Sequence, residues 1–115
     1  MTHEISKDTI RGHTDTIVLN ILAQGDSYGY RIAQTIREMS GGTYELNEAT
    51  LYTVFRRLEK NGDIESYYGN ETQGGRRKYY KLTNQGQLAL QQRLEAWEFA
   101  KHVIDNLIRG KVTEE

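Results

Sequence analysis

Arg76, Arg77 and Lys78 are three consecutive cations that follow paired glycines at 74–75 and lead into Tyr79-Tyr80. Glycines permit a tight bend, so the three charges fall on a tip whose aromatic base can be anchored. The chemistry of such a tip is ionic hydrogen bonding to phosphate oxygens. Gln73 adds a neutral donor on the same bend. Asp63-Ile64-Glu65-Ser66-Tyr67-Tyr68-Gly69-Asn70 supplies the opposite arm, so residues 63–82 are expected to form a β-hairpin.

A second constellation lies just upstream. Leu51, Val54, Phe55 and Leu58 fall within about 100° on a helical wheel, a stripe suited to a core. The remaining circumference carries Ala49, Thr50, Tyr52, Thr53, Arg56, Arg57 and Lys60. Small polar groups and arginines of this kind reach base edges and phosphates. A solvated helix face has the same composition, and the adjacent basic hairpin is what favours DNA. Tyr67, Tyr68, Tyr79 and Tyr80 alternate across the two arms, where cross-strand packing is the expected role and base stacking the lesser one.

The elements that position these groups follow from the punctuation. A first helix is expected over about residues 8–24, stopped by Gly25. Gln24 to Gly29 is a turn. A second helix spans about 28–39 and ends at Gly41-Gly42, and Tyr44-Glu45-Leu46 looks strand-like. Asn47 can cap the third helix, which reaches Lys60. Thr83 caps a long last helix to about Ile108. The fold class expected is mainly α with a small β-hairpin, a winged helix-turn-helix over 1–82. A C-terminal dimerisation helix follows over 83–110, and a disordered tail over 111–115.

In the last helix, Leu90, Leu94, Trp97, Lys101, Ile104 and Ile108 are spaced 4, 3, 4, 3, 4, a heptad seam with one polar member. Helix-turn-helix proteins commonly bind palindromic DNA as two-fold dimers, so a homodimer through this seam is expected. Packing on the chain's own first helix would use the same residues. Trp97 is the only tryptophan. It reads either as an interface anchor or, paired with its copy, as the wall of a slot for a planar ligand.

The chain has 115 residues, 15 Lys/Arg, 16 Asp/Glu and a net charge of −1. Its cations are unevenly placed: residues 56–81 hold 7 Lys/Arg against 4 Asp/Glu, while residues 1–55 hold 4 against 7. A local patch can bind phosphates despite an acidic total. The absence of Cys excludes a disulfide framework and thiolate chemistry, in keeping with a cytoplasmic protein. No apolar run approaches the roughly 18 residues of a membrane span, and residues 3–8 carry no signal-peptide pattern. The three histidines lack metal-ligand spacing, and the paired glycines precede a strand rather than a helix. Neither an enzyme nor a cofactor or metal site is expected. The rivals to a DNA-binding regulator are a winged-helix module that meets an acidic protein and a small-molecule carrier.

Three separated segments resemble the PadR family of bacterial transcriptional regulators: Gly25 to Ala33, Glu48 to Gly62, and Gly74 to Gly86. The short C-terminus is similar to the small subfamily that includes regulators of multidrug resistance. The resemblance implies a repressor dimer on the promoter of an efflux or detoxification operon, released when a planar aromatic compound binds at the dimer centre. The DNA-binding residues would be Thr50, Tyr52, Thr53, Arg56, Arg57, Gln73, Arg76, Arg77 and Lys78. The ligand-binding positions implied are Thr9, Gly12, Asp15, Thr16, Asn20, Ala23, Leu90, Leu94, Trp97 and Lys101. Three positions depart from the multidrug pattern: Leu94 replaces an aromatic residue, Lys101 an acid, and Arg93 a small residue.

Overall fold

A computed structural model describes residues 3–70 and 75–113. The elements are α1 (Lys7–Ile10), α2 (Thr14–Ala23), β1 (Ser27–Tyr28), α3 (Gly29–Met39), α4 (Glu48–Lys60), β2 (Ile64–Tyr68), β3 (Lys78–Leu82) and α5 (Asn84–Arg109). The expected first helix is therefore two. Gly12 has φ +91°, a left-handed backbone that no α-helix contains, so the chain turns there. Ser6 begins the short α1, its Oγ accepting from the Thr9 amide at 3.1 Å.

The sheet differs from expectation in one strand. Strand β3 is central, and β1 and β2 flank it, both antiparallel. The third strand comes from Ser27–Tyr28, which pairs with Tyr80 and Tyr79, and not from Tyr44–Leu46. Residues 44–46 lack a partner strand because the Ser40 hydroxyl takes over the Tyr44 backbone, accepting from its amide and donating to its carbonyl, each at 3.1 Å. Tyr44 and Leu46 pack on the core from there.

The core lies where α2, α3, α4 and β3 meet. Val18, Leu19, Leu22, Ile32, Ile36, Leu51, Val54, Phe55, Leu58, Ile64 and Tyr80 are buried in it. The α4 stripe is the one its periodicity predicts. Leu90 of α5 joins this core, being only 4% exposed. Beyond Leu90 no described residue of α5 is buried; the helix still touches α2 as far as Trp97, and only its last turns stand clear of the body. The radius of gyration is 17.2 Å, against about 13 Å for a compact domain of this size. No helix among the described residues is long and apolar enough to cross a membrane.

Candidate nucleic-acid interface and an adjoining groove

Helix α4 starts at Asn47, whose Oδ1 accepts from the Thr50 amide at 2.8 Å. Burying Leu51, Val54, Phe55 and Leu58 turns Ala49, Thr50, Tyr52, Thr53, Arg56, Arg57 and Lys60 to solvent. Arg56 Nη2 lies 3.4 Å from Thr53 Oγ1, so the two share one outer patch. The flanks are engaged by neighbours. The Tyr52 phenol lies close against Gly29, and its ring meets Phe55 edge-on at 5.8 Å. Arg57 donates from Nε to Asp15 Oδ2 at 3.0 Å and from Nη2 to Asp15 Oδ1. That hydrogen bond raises the Arg57 pKa above its ordinary value.

The hairpin is anchored on both faces. Tyr80 points inward and stacks on Phe55 at 4.0 Å, and Lys78, two residues before it, has its ammonium 5.7 Å from the Tyr80 ring. Burial pushes the Tyr80 phenol up to about 12, so it stays neutral. On the other face Tyr79 stacks with Tyr67 at 5.6 Å and meets Tyr28 edge-on at 5.3 Å. The Arg77 guanidinium lies 4.7 Å over Tyr28, and the Tyr67 hydroxyl donates to Asp26 at 2.6 Å. Tyr67 and Tyr79 thus pack across strands as expected, while Tyr80 packs on α4 and Tyr68 is exposed. Arg76 is exposed, beyond the last strand pair of Tyr68 with Lys78. Gln73 lies outside the described residues.

On the opposite side of α2, the α1–α2 corner and α5 enclose an open groove of about 580 Å³. Six of the expected ligand positions line it: Thr9, Gly12, Thr16, Asn20, Leu94 and Trp97. Four do not. Asp15 turns away to Arg57 and, at 3.6 Å, to Arg93. Leu90 is core, so it is neither groove wall nor exposed seam. Ala23 lies beyond the groove. Lys101 borders a neighbouring hollow with Trp97, Ile104 and Ile108, and its Nζ is 3.0 Å from Glu98 and 5.8 Å from the indole centre. The structure adds Ile10, His13, Ile17 and Arg93 to the groove, with His13 edge-on to Trp97 at 4.8 Å. In the single helix expected over 8–24, the 3-and-4 spacing of Ile10, His13 and Ile17 puts them on one face, the signal that could have found them. Along the seam Leu94, Trp97, Ile104 and Ile108 remain 40–72% exposed.

Three helices around a small antiparallel sheet, with a cationic hairpin beside an exposed polar helix, define a winged helix-turn-helix protein. The chain belongs to the transcriptional regulator PadR-like family, whose sequence model matches residues 18–92. A solved transcriptional regulator from Clostridium thermocellum is 50% identical, with 91% of this chain and 99% of that chain covered and a TM-score of 0.84. A PadR family transcription regulator from Clostridium difficile is 41% identical, covering 84% of this chain and 99% of its own, with a TM-score of 0.75. An uncharacterized protein of Lysinibacillus sphaericus is 42% identical over 92% of this chain and 97% of its own length. As a member of this family the chain is a DNA-binding transcriptional regulator and not an enzyme.

Proposed function

We propose that the chain is a cytoplasmic homodimeric repressor that responds to a planar aromatic compound. It would be related to the lactococcal multidrug-resistance regulator LmrR within the small subfamily. The observation that carries the reading is the groove beside Trp97, which is mostly apolar and open along the seam expected to pair two chains. In the dimer α4 enters the major groove of a palindromic operator with Thr50, Thr53 and Arg56, flanked by Tyr52. Arg76 and its neighbours Gln73, Arg77 and Lys78 hold flanking phosphates.

Two measurements test this. Titrating planar aromatic compounds against the Trp97 emission is expected to quench it, and the same compounds are expected to release a fluorescent duplex covering the chain's own promoter. Quenching by none of them would leave Trp97 as an interface anchor in a regulator without a ligand. Arg76→Ala combined with Arg77→Ala is expected to weaken promoter binding and flatten the slope of log K against log salt by about 1 to 2, near 0.9 for each phosphate that is no longer neutralised. An unchanged slope would remove the hairpin from the interface.

A further inference from the structure

Asp15 joins three elements. It sits in the first turn of α2, its side chain is 13% exposed, and its carboxylate holds Arg57 of α4 through two donors and Arg93 of α5 at 3.6 Å. An exposed ion pair contributes little. A largely sheltered carboxylate gripped by a guanidinium fork fixes geometry far better. Arg57 lies on the flank of α4 between its core stripe and its outward patch, the side on which a strut can set the helix's seat.

The turn that carries Asp15 is held less firmly than the rest of α2. It follows the break at Gly12, its N-cap His13 makes no side-chain capping bond, and residues 14–17 are only half-buried, while Val18, Leu19, Ile21 and Leu22 are core. Its other side is groove wall, through His13, Thr16 and Ile17. Arg93 also borders the groove. One turn of helix therefore has the groove on one side and the carboxylate that seats α4 on the other.

We infer that Asp15 is a positioning residue: through Arg57 it sets the seat of the reading helix, and through Arg93 and its own helical turn it ties that seat to the groove wall. This rests on α4 being the reading helix. It does not depend on the existence of a ligand. It removes Arg57 from the phosphate contacts and makes it a strut.

The test reads two signals as a fluorescent promoter duplex is added to the full chain: duplex anisotropy for binding, and Trp97 emission for the groove. Coupling between sites is reciprocal, so binding is expected to change the Trp97 emission of the wild type. Asp15→Asn and Arg57→Met are each expected to lose that change and to bind the promoter duplex about tenfold more weakly. Binding to a random-sequence duplex and the salt slope should stay as in the wild type, and the double variant should be no weaker than either single one. Arg57 is half-exposed, so its variants test the idea even if Asp15→Asn does not fold. Arg57→Lys keeps the charge and loses the fork, and it is expected to behave like Arg57→Met. The inference is overturned if wild-type Trp97 does not respond, if the variants respond as it does, or if Arg57→Met weakens both duplexes alike and flattens the slope while Arg57→Lys restores them.

Discussion

Gly86→Ala is expected to destabilise the chain by about 3 kcal/mol or more, beyond the usual cost of overpacking a core. That corresponds to a fall in Tm of about 10–15 °C for a domain of this size. A Cβ at Gly86 would stand 2.0 Å from the Asp63 carbonyl oxygen and 2.7 Å from Leu82 Cδ1. The carbonyl has little room to retreat, because it accepts from the Thr83 amide at 3.1 Å. Thr83 is fixed in turn: its hydroxyl donates to the Gly62 carbonyl at 2.7 Å and accepts from the Gly86 amide at 3.0 Å. The start of α5 is thereby sewn onto the entrance of β2 with no space for a methyl group. Gly41→Ala is the control. Its φ is +64° with nothing within 4 Å, so only backbone strain of about 1 kcal/mol is expected there. Thermal melts followed by circular dichroism separate the two. A Gly86→Ala melt within a few degrees of the wild type would mean that α5 does not cross β2 this closely.

Ile104→Glu with Ile108→Glu is expected to convert a dimer to single chains and to reduce promoter affinity by about a hundredfold or more. Two linked half-sites bind more tightly than one by a factor on that scale, through linkage alone. Ile104 is 50% and Ile108 72% exposed, and no described part of the chain covers them. Leu107, at 78%, widens the apolar surface. Four carboxylates on a pairing surface would each lose hydration on association. Light scattering gives the mass and anisotropy the affinity. A variant that keeps the wild-type mass and affinity would show that this surface serves something other than self-pairing.

Helix α4 was legible because its signals are local. A 3.6-residue apolar stripe and a capping Asn47 are enough to orient every side chain on it. The hairpin was legible for the same reason, through its glycines and the two-residue alternation of Tyr67, Tyr68, Tyr79 and Tyr80. The misses are tertiary or too short to have a period. Ser27–Tyr28 is a strand of two residues inside a glycine-rich turn, visible only once β3 is beside it. Leu90 matched a heptad position but fell within reach of the body, so the core claimed it before any seam could. Asp15 matched a family position in a ligand site, yet its partner Arg57 is 42 residues away, and only the fold brings the two together. Gly12 was part of the same resemblance, but nothing in its neighbours said that the helix would turn there.

The bareness of the last turns of α5 has a mechanical consequence. The helix is held from the Gly86 crossing through Leu90 to Trp97, where His13 meets the indole, and runs on for another 12 residues, about 18 Å at helical rise. It is a lever arm. Tilting this free part by about 10° carries its far end through about 3 Å, roughly half a helical turn. Where two such arms are joined, the gearing also works in reverse. A displacement of one turn between the joined ends becomes a small rotation of each body, and the separation of the two α4 helices changes with it.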